Sequence, residues 1–267
     1  MSVMSSPNMW DLVAIAYDNE VVPMFETFAR KALELAQVAP GARIIDVACG
    51  PGTLAIHAAR GGHPVQAIDY SPKMIERLVA KDIAGITAQV GDGEHLPFES
   101  AMFGGAFSLF GLIFFDDRAK GFAELRRVLE PNAKAVVTSW PGLDESPLFA
   151  AVFGAMRDAL IAAGVHSTAT PPVLPGLTTV DDFYREMSVS FRDVAISRVA
   201  HTALFPSIEE LASSLIRTMA PIAIVRETLG FERFIPIDAA IRDAIARYLG
   251  SAPPAIELNA LFGVGSA

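Results

Sequence analysis

The 267-residue sequence predicts an α/β fold in which helices cover both faces of a mostly parallel sheet. Two observations support this prediction. Short β-branched runs alternate with helical apolar patterns through the first half of the chain, and the connections between them have ordinary lengths. One such run, with Ile44, Ile45 and Val47, is apolar enough for a parallel strand buried on both faces. We therefore expect a three-layer sandwich.

The first half supplies its elements in the order that this sandwich requires. A first helix is predicted over residues 22–38, where Pro40 and Gly41 end it. In a later helix, Ser71 is expected as the N-cap and Pro72 as the first helical residue. Strands are predicted over 43–48, 65–68, 86–90, 105–109 and 133–140, with helices over 53–60, 71–80 and 116–129.

Past Pro141 the alternation gives way to insertions. The segment 141–177 is apolar, helical in pattern and rich in proline and glycine, and we interpret it as a cap on the sheet. The chain then returns to the sheet with a helix over 179–187, a strand over 191–204, two or three helices over 207–249 and a strand over 255–264.

We expect residues 1–267 to form a single domain, since 52% apolar residues suffice for a substantial core. That core would comprise residues 20–140 and 178–267. The cap, about 141–177, and a second helical segment, about 206–250, would be insertions into it.

Composition and charge exclude several classes of function. The chain has 30 acidic and 21 basic residues, and its formal charge of −9 repels nucleic-acid phosphates and anionic lipids. The lone Cys49 cannot form an internal disulfide, and no His/Cys spacing fits a zinc site. No signal-peptide pattern opens the sequence, and no apolar stretch reaches the roughly 20 residues of a membrane helix. We therefore expect a cytoplasmic protein with no metal, no nucleic-acid partner and no stable membrane insertion.

The first predicted strand ends in a turn suited to a nucleotide-like ligand. Asp46 precedes Gly50 and Gly52, which let the backbone approach a ligand, and the helix that follows presents free N–H groups. A purely structural turn is one alternative. A second is the GxGxxA form of the dinucleotide fingerprint, which Ala55 would complete.

The next two strands also end in acidic residues. Asp69 could accept two hydrogen bonds from a ribose diol, although capping of the next helix is the alternative. Asp92 and Gly93 could read an adenine edge, and a plain turn is the alternative. Because ligands bind outside the carboxyl ends of parallel strands, all three strand ends are expected at one edge of the sheet.

Taken in order, these motifs resemble those of the class I S-adenosylmethionine-dependent methyltransferases, most closely the quinone-methyltransferase-like branch. That branch has D-x-x-C-G-x-G after the first strand, an acid ending the second strand, and GD or AD followed by LPF. The chain has DVACGPG at 46–52, Asp69, and GDGEHLPF at 91–98. The similarity covers about residues 13–140.

The resemblance implies a Rossmann-like domain whose seven-stranded mixed sheet has the order 3-2-1-4-5-7-6, with helical cap insertions. It also implies S-adenosyl-L-methionine as methyl donor and S-adenosyl-L-homocysteine as product. The chain departs from the family pattern at Ala48, which replaces a glycine, and at Gly104, where an aspartate is often found. Neither departure removes a ligand contact on which the assignment depends.

The resemblance also implies roles for residues around the methionine half of the donor. Ala48 and Gly50 would hold the methionine portion, and Asp46 would support its ammonium group. Tyr17 resembles an N-terminal tyrosine that closes over the methyl donor. Leu109 and Phe110, after the fourth strand, are expected as walls of the active site.

For the adenosine half, Asp69 would bind both ribose hydroxyls, and Tyr70 would pack beside the adenine. Asp92 would accept from the adenine amino group, while Gly93 would donate to the ring. Gly52 completes the set of cofactor-binding residues as part of the glycine turn.

A sulfonium methyl group is already electrophilic, so a dedicated catalytic residue is not obligatory. The candidates for a general base are Tyr17, His166 in the cap, His201 in a late strand, and the acids Asp144 and Glu145. For each histidine, a structural or solvated role is the alternative.

The apolar stripe over residues 148–160 is either the buried face of a helix or a lid over an apolar substrate. As a lid, it would adapt to the shape of the substrate through Phe149, Phe153, Met156, Met187 and Met219.

The sequence therefore predicts methyl transfer to a small, largely apolar or aromatic acceptor, by a chain whose sequence is compatible with a homodimer. An NAD(P)-dependent oxidoreductase is one alternative, since it shares the glycine turn and the acid at Asp69, but the chain has no Tyr-x-x-x-Lys pair. A non-catalytic accessory protein that binds S-adenosylmethionine is the other.

Overall fold

A computed structural model describes residues 7–165 and 176–267 of the chain, and a seven-stranded sheet lies at their centre. The strands have the order β3-β2-β1-β4-β5-β7-β6. Neighbours among the first five strands are parallel, while β7 is antiparallel to both β5 and β6. The strand order implied by the resemblance is thus confirmed. The strands are β1 (Ile44–Val47), β2 (Val65–Asp69), β3 (Ile86–Val90), β4 (Phe103–Ser108), β5 (Leu129–Ser139), β6 (Arg192–Leu204) and β7 (Ala255–Ser266).

Helices flank both faces of this sheet. An N-terminal series consists of α1 (Pro7–Asp11), α2 (Ala14–Ala16), a π-helical turn (Tyr17–Val21) and α3 (Val22–Ala36). The remaining helices are α4 (Thr53–Arg60), α5 (Pro72–Val79), α6 (Arg118–Val128), α7 (Pro147–Ala162), α8 (Val180–Met187), α9 (Ile208–Thr218), α10 (Ala220–Leu229) and α11 (Phe231–Leu249).

Two apolar clusters form the core, one on each face of the sheet. Side chains of α3, α4, α5, α7, α9 and α11 pack in the first cluster, and those of α6 and α8 pack in the second. All four residues of β1 are buried, as expected for a parallel strand covered on both faces. Helix α7, from the segment expected as a cap, packs against α11, from the second expected insertion, so these two helices share one face of the sheet.

The elements agree with the sequence prediction to within a few residues, apart from two differences. The helices and the π turn before Val22 were not predicted, and they pack on Met74 of α5 through a small cluster that includes Met9 and Val13. Strand β5 starts at Leu129 rather than at residue 133, because Leu129 pairs with Phe103 ahead of a register shift.

None of the helices within 7–165 and 176–267 is both long enough and apolar enough to cross a membrane.

Gly52 is the N-cap of α4, and its backbone has a positive φ of 97°. A Cβ at this position would lie 2.3 Å from Cδ1 of Leu78 on α5. The glycine therefore allows a left-handed turn and a close approach between the turn and α5.

We predict that Gly52→Ala lowers the free energy of unfolding by about 2 kcal/mol or more, because the left-handed conformation and the Leu78 contact both oppose a methyl group. Gly154→Ala is the matched control, since Gly154 lies in α7 with open space around it. There the change should stabilise the protein by about 0.5–1 kcal/mol. Urea denaturation of both variants measures the difference, and equal effects would contradict this account of Gly52.

Candidate active site

The carboxyl ends of β1 to β4 border a cavity of about 360 Å³, within the range of ligand pockets. It brings together residues that are far apart in the sequence, as expected where parallel strands end at one edge. Nine of the ten predicted cofactor-binding residues line it: Tyr17, Asp46, Ala48, Gly50, Asp69, Tyr70, Asp92, Gly93 and Leu109. Gly52 does not line the cavity, because it faces Leu78 of α5 instead.

Asp69, at the end of β2, joins the glycine turn to the start of α5. Its Oδ2 accepts the Gly50 N–H at 2.7 Å, and its Oδ1 accepts the Ser71 N–H at 2.8 Å. A carboxylate has about four acceptor sites, so these two bonds orient it and leave capacity for a ligand diol. Burial raises the pKa of Asp69 to about 6, against the opposing effect of the hydrogen bonds from Ser71 and Gly50.

Asp46 lies beneath the same turn, where it is almost fully buried. Its Oδ2 accepts the Ala55 N–H from the first turn of α4 at 3.0 Å. Burial raises the pKa of Asp46 to about 8, the Ala55 hydrogen bond opposes this shift, and the charge of Asp69 adds to it. A cation in the cavity would favour the ionised form of both acids.

Asp92 follows β3 and shapes the loop at the far end of the cavity. It accepts the Glu94 N–H at 2.8 Å and contacts His95 Nδ1 at 2.8 Å. Gly93 approaches Phe115 so closely that a Cβ would lie 2.3 Å from its ring. The glycine is thus required by packing at a position that also lines the cavity.

The first cavity is lined by acidic rather than basic side chains. Of the described residues that line it, none is a lysine or an arginine, whereas five are acidic: Asp46, Asp69, Asp92, Glu94 and Asp116. A cleft lined by charges of one sign raises the local concentration of ligands of the opposite sign. The cavity therefore favours a ligand with cationic groups.

A second cavity of about 160 Å³ adjoins the first, and its described lining contains no charged side chain. We call the five aromatic residues that line both cavities the aromatic collar: Trp10, Tyr17, Phe25, Phe110 and Phe114. Trp140 of the second cavity stacks on Phe110, with ring centroids 3.9 Å apart and planes inclined by 9°. The collar thus joins an acidic compartment to an apolar one.

Part of the predicted lid lies at this second cavity. Phe149, Phe153 and Met219 line it, and Met156 is buried in the same core cluster without lining it. The expectation for Met187 was wrong. Its side chain packs against β7 on the other face of the sheet, where it closely approaches the backbone at residues 263–265.

The candidate bases are spread over different parts of the molecule. Burial raises the pKa of the Tyr17 phenol, so this residue can donate a hydrogen bond but stays protonated. His201 lies on β6 outside both cavity linings, with its ring edge-on to Phe28 at 6.0 Å. Glu145 forms an ion pair with Arg198. His166 lies outside the described residues.

Tyr17 and Phe110 were predicted as site residues from the sequence, whereas the other three aromatic residues of the collar were not: Trp10, Phe25 and Phe114. Trp10 and Phe25 line both cavities. Phe114 also lines both, and it is the last residue of a 3₁₀ turn, Leu112–Phe114, that follows β4. A signal for the N-terminal part existed, because apolar residues recur at helical spacing from position 9 onwards.

Comparison with known proteins assigns the chain to one group of enzymes. A family model described as a methyltransferase domain matches residues 45–137. The chain is 35% identical to the ubiquinone/menaquinone biosynthesis C-methyltransferase UbiE of Geotalea daltonii over 48% of its own length and 60% of that protein. It is 31% identical to the demethylmenaquinone methyltransferase of Renibacterium salmoninarum over 61% of its own length and 70% of that protein.

A solved structure shares the fold over nearly the whole chain. Phosphoethanolamine N-methyltransferase 2 of Haemonchus contortus, solved with phosphomonomethylethanolamine and S-adenosylhomocysteine, aligns with a TM-score of 0.59 at 17% identity. The alignment covers 96% of this chain and 57% of that one.

We predict that Asp69→Ala weakens the binding of S-adenosylhomocysteine by on the order of tenfold or more, about 1.4 kcal/mol, because the anchor of the Gly50 turn and the acceptor expected for the ribose hydroxyls are both lost. Asp69→Asn, which keeps the side-chain volume, should lose affinity as well. Isothermal calorimetry measures both, with Asp158→Asn as a control at a side chain that is 68% exposed. Unchanged affinity in the Asp69 variants would contradict the assigned role.

The raised pKa of Asp46 predicts how stability depends on pH. The folded chain holds this proton with a pKa of about 8, whereas the ordinary value is 3.8. The stabilisation that results is complete below pH 3.8 and is lost as the pH rises through about 8. Asp46→Asn does not titrate and keeps an oxygen for the Ala55 N–H.

We therefore expect the stability of ligand-free Asp46→Asn, relative to the parent protein, to increase between pH 6 and pH 9. Urea denaturation at several pH values measures this difference, and a constant difference would contradict it. The same variant should bind the donor more weakly, since it lacks the negative charge that a cationic ligand requires.

Proposed function

The chain belongs to the class I S-adenosylmethionine-dependent methyltransferases, and we propose that it methylates a small, largely apolar or aromatic acceptor. The observation that carries this proposal is the junction of the two cavities at the aromatic collar. An acidic compartment suits the methyl donor, and the apolar compartment beside it suits an uncharged acceptor. The collar is where the reacting groups would meet.

The charge of the first cavity matches the donor. S-adenosylmethionine has a net positive charge, since its sulfonium and ammonium groups outnumber its one carboxylate. Asp46 and Asp69 supply buried carboxyl groups beneath and beside the glycine turn. The proposal assigns the ammonium group to the Asp46 side and the ribose hydroxyls to Asp69. Tyr70 and Asp92 would border the adenine, since both line the same cavity.

This charge also disfavours the oxidoreductase alternative. A nicotinamide dinucleotide carries an anionic pyrophosphate, which would face five acidic side chains and, among the described lining residues, no lysine or arginine to pair with it. The acidic lining therefore supports the sulfonium donor over the dinucleotide.

The reaction is a direct displacement. A nucleophilic atom of the acceptor forms a bond to the methyl carbon while the carbon–sulfur bond breaks. The electron pair of that bond stays on sulfur, which gives S-adenosylhomocysteine, and any proton lost by the acceptor passes to solvent. The chain contributes alignment and exclusion of water at the collar, and proximity of this kind can lower a barrier by roughly 7–11 kcal/mol.

The second cavity supports the class of acceptor. Its described lining is uncharged, and flexible Met24 and Met219 side chains there can adapt to the shape of a ligand. The hydroxyls of Ser146 and Thr218 are polar groups able to orient an acceptor. One relative is named as a C-methyltransferase of ubiquinone/menaquinone biosynthesis and the other as a demethylmenaquinone methyltransferase, and both names are consistent with an apolar, ring-containing acceptor.

We predict that a panel of small acceptors, incubated with methyl-labelled donor, shows transfer to uncharged aromatic compounds and much weaker transfer to their carboxylated or phosphorylated analogues. Transfer only to protein or nucleic acid would refute the acceptor class. Tight donor binding without turnover across the panel would favour the non-catalytic alternative.

A substitution in the second cavity tests whether that cavity binds the acceptor. Phe149→Asp places a carboxylate in the apolar lining, so KM for a neutral acceptor should rise on the order of tenfold while the affinity for S-adenosylhomocysteine stays unchanged. Val189→Asp, at a side chain that is 82% exposed, is the matched control.

A further inference from the structure

The π-helical turn Tyr17–Val21 lies between the two cavities. Its first residue, Tyr17, belongs to the aromatic collar. Two acidic residues of the same turn, Asp18 and Glu20, form ion pairs with different helices. Single π turns inside α-helices are uncommon and frequently mark functional sites.

Asp18 anchors the turn on the donor side. Its side chain is only 5% exposed, Oδ2 accepts from Nε of Arg77 at 2.8 Å, and Oδ1 lies 2.6 Å from Nζ of Lys81. The same Lys81 Nζ donates to the carbonyl oxygen of Pro51 at 2.7 Å. Pro51 lies between Gly50 and Gly52 of the glycine turn. Lys81 therefore connects the π-helical turn to the backbone that borders the first cavity.

Glu20 anchors the turn on the acceptor side. Its carboxylate accepts two hydrogen bonds from Arg217, at 2.9 and 3.2 Å. Arg217 lies on α9, and its neighbours Leu215 and Thr218 line the second cavity. A bidentate pair of this kind fixes orientation as well as distance.

The two anchors differ in strength for a physical reason. The Asp18 carboxylate is buried and pairs with two cations, whose side chains are 38% (Arg77) and 26% (Lys81) exposed, so removal of its charge breaks two ion pairs at once. The Glu20 pair is more exposed, with 26% of the Glu20 side chain and 46% of the Arg217 side chain accessible, so solvent screens it. Loss of Asp18 should therefore displace the turn more than loss of Glu20.

We propose, on the basis of the function proposed above, that Asp18 and Glu20 are positioning residues that fix Tyr17 between donor and acceptor. Asp18, through Lys81 and Pro51, sets the affinity for the donor. Glu20, through Arg217 and α9, sets the affinity for the acceptor. The two acids of one turn thus adjust two binding steps separately.

The test compares Asp18→Asn and Lys81→Met with Glu20→Gln and Arg217→Gln. The first pair should raise the Kd of S-adenosylhomocysteine on the order of tenfold and leave the acceptor KM within about threefold. The second pair should raise the acceptor KM by about threefold to tenfold and leave that Kd unchanged. Calorimetry and steady-state kinetics with the best acceptor of the panel measure the two constants.

Three controls separate positioning from general destabilisation. Lys81→Arg keeps a cation near Asp18 and Pro51 and should restore most of the donor affinity. Glu34→Gln breaks the exposed Lys31–Glu34 pair on α3 and should change neither constant. Lys81→Met retains the Asp18–Arg77 pair, so it provides a folded variant if Asp18→Asn does not fold.

Equal effects of both pairs on both constants, or lower melting temperatures with unchanged Kd and KM, would overturn the proposal. These outcomes differ from a failure of the proposed function, in which the parent protein itself would bind no S-adenosylhomocysteine or methylate no acceptor.

Discussion

The active site depends on one interaction above all, the pair of backbone hydrogen bonds accepted by the carboxylate of Asp69. Through Gly50 and Ser71 this side chain connects the turn after β1 to the start of α5. The bonds satisfy a buried charge and, at the same time, aim its remaining acceptor sites. The same two bonds therefore set the local structure and the orientation of the carboxylate to which the proposed function assigns the ribose hydroxyls.

In the absence of a ligand, burial disfavours the ionised form of the acidic residues at this site. Burial raises the pKa of both Asp46 and Asp69, and the charge of Asp69 raises that of Asp46 further. In the ligand-free protein, burial therefore favours the protonated form of these two carboxyl groups, at the positions where the donor would place its cationic groups. Functional sites often retain such unfavourable charges, because an interaction that is unfavourable in the free protein strengthens the binding of the ligand that relieves it. The acidic residues are better explained by binding than by folding.

Much of the fold was predictable because local patterns determine it. Alternating strands and helices predicted the sandwich, and an acid at each of three strand ends predicted one shared edge. Gly52 shows where this reasoning stops. The glycine pattern predicts that the backbone closely approaches another group, but only the packing shows that this group is the Leu78 side chain rather than a ligand. The prediction that Met187 belongs to the lid was wrong for a similar reason. A hydrophobic residue is compatible with either face of a sheet, and only tertiary packing selects one.

The N-terminal helices show how much of a site can depend on packing between distant segments. Trp10 and Tyr17 lie next to each other with ring centroids 6.3 Å apart, and Trp10 also meets Phe114, a residue about a hundred positions further on. No local pattern could predict this pairing, because it arises only when the helices pack on α5. The consequence is functional. Strand ends supply the charges, whereas the N-terminal segment supplies much of the apolar boundary, so the methyl group would pass from a charged compartment to an uncharged one through rings contributed by both.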